Sequence, residues 1–188
     1  MSSTKPLRDW LYLVIVATQL LGMLGHRWRP ALDLVAFYPA SLYATPSSPL
    51  HFLLSLRSVY VSASGDPYFA PSPTATHEPW FEMFLYVEGL VQLPLAAYML
   101  WQLSSKTGTS GPAELAGLVF GCLTAMGAAT CCFDLSQMGP ERVGAGQKMV
   151  LIYGTYLPFA VIPAFMAIDM YSRLLPRVQP SDVKAKSQ

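Results

Sequence analysis

Four hydrophobic segments dominate the chain, and shorter polar stretches separate them. An α-helix rises about 1.5 Å per residue, so about 20 apolar residues cross the hydrocarbon core of a bilayer. The pattern therefore predicts an all-α, polytopic membrane protein built as a bundle of four transmembrane helices. The predicted spans are residues 10–43, interrupted by a polar stretch at 25–30, and residues 80–103, 112–133 and 149–171.

The polar stretches are expected to be tails and loops. Residues 1–9 and 173–188 are predicted to be polar tails, and residues 44–79 form a loop rich in Pro, Ser and Thr. Within that loop, residues 50–61 have apolar side chains at helical spacing, which is typical of a short helix on the membrane surface. An even number of spans puts both termini on one side, and a small excess of Lys and Arg there favours the cytosol.

The last five residues carry a candidate targeting signal. Lys184 and Lys186 are spaced as in the cytosolic Lys-x-Lys-x-x signal that returns membrane proteins to the endoplasmic reticulum. The alternative is that these lysines belong to a plain solvated tail. The predicted location is the endoplasmic-reticulum membrane, with several spans and both termini cytosolic.

Composition narrows the class of protein. The chain is 53% hydrophobic and 12% charged, about half the usual charged share, which argues against a soluble helical bundle. The net charge of +1 gives no basic field to attract nucleic acid. Cys122, Cys131 and Cys132 share one apolar segment, so we interpret them as small hydrophobic residues. No zinc-binding spacing and no nucleotide-binding motif is found, so neither a metal nor a cofactor is expected.

The second segment contains the first candidate for chemistry. Glu88 and Gln92 lie four residues apart in its middle third, on one helix face, and Pro94 is expected to kink the helix there. A carboxyl group in the middle of a membrane is costly, so it generally faces a protein-lined cavity and indicates function. The alternative is that Glu88 only holds two helices together.

Several short motifs occur in a particular order along the chain. They are Asp33-Leu34, Tyr38-Pro39, Asp66-Pro67, Pro79-Trp80-Phe81, Glu88, Gln92-Leu93-Pro94, Tyr153-Gly154-Thr155-Tyr156 and Ile162-Pro163. In this order they resemble the sigma-2 receptor family of the EXPERA superfamily over residues 10–172, with the stretch from Pro79 to Pro94 the most specific part. Details such as Gly-Met-Leu-Gly at residues 22–25 resemble a fungal branch.

The resemblance implies a four-helix bundle of the endoplasmic reticulum, a homodimer with kinked helices around a cavity that opens to lipid. It implies that Asp33 binds the amine of cationic ligands and that Glu88 hydrogen-bonds Asp33. Gln92 and Tyr156 match further positions that line the cavity. The family is associated with sterol handling, so sterols and membrane lipids are the expected small-molecule partners.

Further residues are assigned structural roles. Pro94, Pro158 and Pro163 are expected to bend their helices. Asp66 matches a family position and either braces the loop over the cavity or is a plain turn residue.

Two departures from the family pattern affect the site. The stretch Gly-His-Arg-Trp-Arg-Pro at 25–30 interrupts the first span, either as a real bend or as a gene-model error, and this bears on the placement of Asp33. In the third span, Leu123 and Gly127 stand where the family has His and Thr, so a more apolar cavity is expected, although Thr124 is still present.

Three functions stay open on the sequence. An Asp33–Glu88 pair in a cavity would share one proton over a wide pH range and leave one negative charge for a cationic or sterol-like ligand. The same pair could perform the acid–base steps of a sterol Δ8–Δ7 isomerase, and the catalytic residues would then be Asp33 and Glu88. Binding is favoured over catalysis, because no histidine lies in the central part of a span. The third possibility is a membrane chaperone or trafficking factor that acts on protein partners.

Overall fold

The computed structural model describes residues 6–24, 41, 44–49, 51, 58–59, 62–69, 78–105 and 108–179. Four long helices make up most of this part of the chain, and no strand occurs in it. The all-helical prediction is therefore confirmed over these residues. The helices are α1 (Leu7–Leu24), α2 (Pro79–Ser104), α3 (Gly111–Gln137) and α4 (Ala145–Val178).

Three of these described helices can cross a membrane. α2, α3 and α4 contain 26, 27 and 34 residues, and each has a sufficiently apolar stretch. They coincide with three of the hydrophobic segments seen in the sequence and extend them by a few residues at their ends. The chain is thus a membrane protein with several apolar helices. α1 is shorter, at 18 residues.

α3 is the central helix of the bundle. It packs along α4 and against the second half of α2, and α1 packs on that half of α2 and touches α4. Small side chains in α3 permit this close packing. At Gly121 a Cβ atom would lie 2.6 Å from the backbone carbonyl oxygen of Pro163, so only glycine fits at this crossing.

The apolar interior is divided into two cores. The first core lies toward the end that holds the start of α1 and the end of α4, and the second lies toward the opposite end and includes two residues of the loop before α2. The first contains Tyr12, Val16, Leu20, Ala96, Met99, Leu103, Ala116, Phe120, Met166 and Met170. The second contains Tyr68, Phe69, Phe81, Leu85, Cys131, Leu135, Met138, Val143, Leu151 and Tyr156.

Two helices contain a widened, π-helical segment. In α2 it covers Glu88–Gln92, and the N–H of Leu93 donates to the carbonyl of Glu88, five residues back. In α4 it covers Val150–Tyr156, and there the N–H of Leu157 likewise reaches back five residues.

A proline follows each widened segment. Pro94 and Pro158 lie at the start of the α-helical length that comes next. Proline has no N–H to donate, and its ring crowds the carbonyl four residues earlier. A wider turn relieves both problems, so the disturbance expected at Pro94 takes the form of a π-helical turn inside a continuous helix.

The ends of the bundle differ from the polar tails that the sequence predicted. α1 begins at Leu7 and α4 continues to Val178, so Asp9 and Arg173 are helical. Asp9 is only 1% exposed, and its ion pair with Arg173 at 2.7 Å offsets the cost of burying the charge. Hydropathy alone could not reveal this, because the partner comes from the other end of the chain.

Other expectations fall on parts of the chain outside the described residues. These are the interruption at 25–30, most of the predicted surface helix at 50–61, Asp33, Lys184 and Lys186.

Candidate functional site

A half-open cavity of about 390 Å³ lies at the level of the two widened segments. All four long helices contribute to its wall, together with Ser64 and Phe69 from the loop before α2. Most of the wall is apolar and aromatic, formed by side chains such as Phe81, Phe84, Leu123 and Phe159. Its polar side chains include Gln19, Glu88, Gln92, Thr124 and Tyr156.

Three of the residues predicted for a ligand site line this cavity. They are Glu88 and Gln92 from α2 and Tyr156 from α4. Leu123 and Gly127 also line it, and these are the two positions in the third span at which the sequence led us to expect a more apolar wall. Asp33 lies outside the described residues, so its pairing with Glu88 stays a prediction, as does ligand binding by all four residues.

Gln92 and Tyr156 hold equivalent positions in their helices, each two residues before a proline. Each is the last residue of a widened segment, and each precedes a Leu-Pro pair, in Gln92-Leu93-Pro94 and Tyr156-Leu157-Pro158. Both side chains are buried, at 5% and 8% exposure. A widened segment followed by a proline therefore places one polar residue of α2 and one of α4 in the cavity wall.

Side-chain hydrogen bonds link three helices at the cavity, through Gln19 in α1, Gln92 in α2 and Thr124 in α3. The Thr124 hydroxyl donates to Gln92 Oε1 at 2.8 Å. Gln19 Nε2 lies 3.3 Å from Gln92 Oε1 and 3.3 Å from Thr124 Oγ1. Gln19 was missed on the sequence, although it lies inside an apolar run just as Gln92 does.

Asp66 connects the loop before α2 to the bundle. Its side chain is fully buried, and it accepts hydrogen bonds from the Tyr156 hydroxyl at 2.7 Å and from the backbone N–H of Tyr68 at 3.1 Å. The sequence left open whether Asp66 braces this loop or is a plain turn residue. These contacts tie the loop to a residue that lines the cavity.

Tyr68 anchors the same loop to α3. Its hydroxyl donates to Asp134 at 2.7 Å, and its ring stacks on Phe81 with the ring centroids 4.8 Å apart. Burial, followed by the hydrogen bond to Asp134, raises the pKa of Tyr68 well above its ordinary value. Phe81 belongs to the Pro79-Trp80-Phe81 motif, which thus begins α2 and packs beneath this loop.

The opposite end of the bundle holds a network of six charged side chains away from the cavity. Arg173 pairs with Asp9 at 2.7 Å and with Asp169 at 2.6 Å. Asp169 and Arg173 lie four residues apart on one face of α4, whereas Asp9 comes from α1. The network also contains the ion pairs of Arg8 with Asp169 and of Arg177 with Glu114.

Comparison with known proteins gives one family. A family model described as EBP, the expanded EBP superfamily EXPERA, matches residues 52–170, which is more than half of the chain. The matched range contains Glu88, Gln92 and Tyr156 and ends within α4. No curated protein and no solved structure matches the chain.

Proposed function

Because the chain belongs to the EXPERA superfamily, we propose that it binds sterols or cationic amphiphiles inside the membrane and serves sterol homeostasis or trafficking. The observation that carries this proposal is the cavity of about 390 Å³, whose aromatic walls surround Glu88, Gln92 and Tyr156. A volume in the range of about 300–1,000 Å³ with a few polar groups among apolar ones is typical of small-molecule sites.

The wall chemistry supports a large apolar ligand with one polar end. Phenylalanine rings and aliphatic side chains match the body of a sterol or of a hydrophobic amine. Glu88 supplies a carboxyl group, which costs free energy in an apolar setting and is usually retained there for function. Asp33, if it joins Glu88 as the resemblance implies, adds a second carboxyl group. The pair then holds one proton jointly, and its remaining charge attracts an ammonium group.

Ligand binding to the purified protein in detergent tests this proposal. A labelled cationic amphiphile is expected to bind the wild type saturably, to lose binding in Asp33→Asn, and to retain part of it in Glu88→Gln. Glu82→Gln is the matched control, because Glu82 is exposed on the same helix. Tight amine binding by Asp33→Asn would contradict the role of Asp33. If the wild type binds neither amine nor sterol, action on protein partners becomes the better hypothesis.

Sterol double-bond isomerisation is the second candidate. The observation that favours it is a titratable carboxyl group, Glu88, in a largely apolar cavity that also contains Tyr156 and Gln92. Moving a double bond requires an acid, a base and stabilisation of a cationic intermediate, and a carboxyl pair can supply all three. Cells that lack the protein should then accumulate Δ8 sterols, and Glu88→Gln should not restore the profile. A normal sterol profile would exclude the enzyme.

The proposed location is the endoplasmic-reticulum membrane, with α1 as a fourth span, both termini cytosolic and two copies in a homodimer. The start of α1 and the end of α4 lie at the same end of the bundle, since Arg8 contacts Asp169 at 2.9 Å. This supports a common side for both termini. Protease treatment of sealed microsomes should remove tags from both ends. Replacing Lys184 and Lys186 by Ser should move the protein to later compartments.

A further inference from the structure

The interior between the cavity and the end at which α1 begins is filled by side chains. Met99, Phe120 and Met166 of the first core lie there, each with 0% exposure. Beyond them, the buried ion pair of Asp9 with Arg173 joins α1 to α4. A close-packed interior has few voids larger than a water molecule, so a ligand as large as a sterol has no passage through this half of the bundle.

The cavity wall comes from the other half of the bundle. α1 contributes Thr18 and Gln19 in its second half, and α2 contributes residues between Phe81 and Gln92, from its start to its middle. α3 contributes residues between Leu123 and Cys131, from its middle onward, and α4 contributes residues 154–156 and 159 in its first half. Since consecutive helices run in opposite directions, all of these segments lie on the same side of the first core.

Two tryptophans indicate where the membrane surface lies at the end of the bundle that holds the start of α1 and the end of α2. Trp10 is 53% exposed and Trp101 is 69% exposed, and tryptophan is enriched where a membrane meets water. At about 1.5 Å per residue, Gln92 lies about 14 Å from Trp101 along α2, about half the thickness of a hydrocarbon core of about 30 Å. Phe81 lies about 30 Å from Trp101, near the opposite surface. The cavity therefore extends from the middle of the membrane into the leaflet away from the start of α1 and the end of α4, which we call the far leaflet.

The open side of the cavity includes the surface of α4 at Gly154. This residue lines the cavity and is itself exposed, and a Cβ atom there would meet nothing within 4 Å. The nearby side chains of Val150 and Tyr153 are 67% and 58% exposed, which is typical of a helix surface in contact with lipid. Gly154 lies about 28 Å from Arg173 along α4, so this opening is also in the far leaflet.

We propose that the cavity exchanges its ligand laterally with the far leaflet only. This inference rests on the proposed binding of sterols or cationic amphiphiles and adds the part of the membrane from which the ligand comes. A permanently charged amphiphile crosses a bilayer slowly, because its charged group must pass through hydrocarbon. Its populations in the two leaflets therefore stay separate during a short experiment, and only the population in the far leaflet should reach Glu88.

Labelling of the full-length protein in sealed proteoliposomes, where it is present in both orientations, tests the proposal. The chain carries a C-terminal tag behind a protease site, and the probe is a photoreactive alkyl quaternary ammonium compound added outside the vesicles. After brief irradiation, external protease removes the tag only from molecules whose C-terminus faces outward. Label on the uncleaved molecules, whose far leaflet is the outer one, should exceed label on the cleaved molecules about 10-fold or more. Probe enclosed within the vesicles should give the reverse distribution.

A pair of variants distinguishes labelling in the cavity from labelling of the lipid-facing surface. Gly127→Leu fills the cavity, so the label that it removes is the label bound there. Ala129→Leu is the matched control, because Ala129 is exposed on the same helix and does not line the cavity. It should keep the wild-type distribution. If Gly127→Leu does not fold, an excess of unlabelled amphiphile on the wild type identifies the same saturable label.

Three results would overturn the inference and leave the proposed function intact. Equal cavity labelling in both orientations would show that ligands enter from both leaflets. Label mainly on the cleaved molecules would show entry from the leaflet near the start of α1. Cavity labelling in detergent but from neither side of the vesicles would show that neither leaflet supplies the ligand. If no cavity labelling occurs even in detergent, amphiphile binding itself fails, and the inference fails with it.

Discussion

The carboxylate of Asp9 lies 2.7 Å from the guanidinium group of Arg173, and this ion pair joins the first helix to the last. The Asp9 side chain is 2% exposed and that of Arg173 is 13% exposed. Removing one member of a buried pair leaves a desolvated charge, which typically costs about 3–5 kcal/mol. Arg173 keeps Asp169 as a partner in the variant. We therefore expect Asp9→Ala to reduce stability by about 3 kcal/mol, at the low end of that range.

Glu78 and Arg142 provide the matched comparison for Asp9→Ala. Their ion pair, at 3.2 Å, is about half exposed on both sides, and such pairs contribute about 0–1 kcal/mol. Thermal unfolding in detergent should therefore separate Asp9→Ala clearly from Glu78→Ala. Equal losses in the two variants would mean that the buried network does not hold α1 against the bundle.

Gly121 should not tolerate a larger side chain. Its missing Cβ would lie 2.6 Å from the carbonyl oxygen of Pro163, which is backbone and cannot move without shifting α4. Overpacking of this kind costs about 1–3 kcal/mol, so Gly121→Ala should lower the unfolding temperature. Gly146→Ala is the control, because a Cβ there meets nothing within 4 Å. It should be neutral or stabilising by about 0.4–1 kcal/mol, and the opposite order of the two variants would contradict the packing.

The hydroxyl of Tyr156 should matter for the loop before α2. It donates to the buried carboxylate of Asp66 at 2.7 Å, and hydrogen bonds to charged groups are worth about 1.5–3 kcal/mol. Tyr156→Phe should therefore destabilise the protein and increase proteolytic cleavage within residues 62–69. Tyr153→Phe, at a side chain that is 58% exposed, should have little effect. Wild-type resistance in Tyr156→Phe would show that other contacts hold the loop.

Filling the cavity should block binding without unfolding the protein. Gly127 lines the cavity, and a Cβ there would meet only the ring of Phe84, at 3.4 Å. Gly127→Leu should reduce labelling by a photoreactive sterol about 10-fold or more, because the side chain occupies space that a ligand needs. Ala129→Leu, on the exposed face of the same helix, should label normally. Undiminished labelling of Gly127→Leu would place the ligand outside this cavity.

The cavity residues could be anticipated from the sequence because their signal is local. Glu88 and Gln92 are polar groups inside an apolar helix, and such groups must face protein or a cavity rather than lipid. Pro94 likewise indicated a disturbed helix. It did not indicate the π-helical form of that disturbance, because a helix can also accommodate a proline by a sharp kink.

The charged network could not be anticipated in the same way. Asp9, Glu114 and Arg177 lie at the ends of apolar segments, where charged residues usually face water. Their burial depends on partners from distant parts of the sequence, as in the contact of Arg177 with Glu114 at 2.7 Å. Hydropathy and helical periodicity carry no information about such pairing. Gln19 is different, since it lies in an apolar run as Gln92 does and could have been predicted on the same ground.

Each widened segment also rotates the rest of its helix about the helix axis, so that a different side of the helix points toward the interior. One residue of an α-helix corresponds to a rotation of about 100°, so an extra residue in a turn rotates everything beyond it by a comparable angle. Leu85 in α2 and Leu151 in α4 pack in one core, whereas Met99 and Met166 pack in the other. The cavity therefore lies at the level where α2 and α4 begin to turn a different face toward the interior of the bundle. A one-residue insertion or deletion between the two cores of either helix would misalign one core with the other, and the cavity would be the first place to lose its shape.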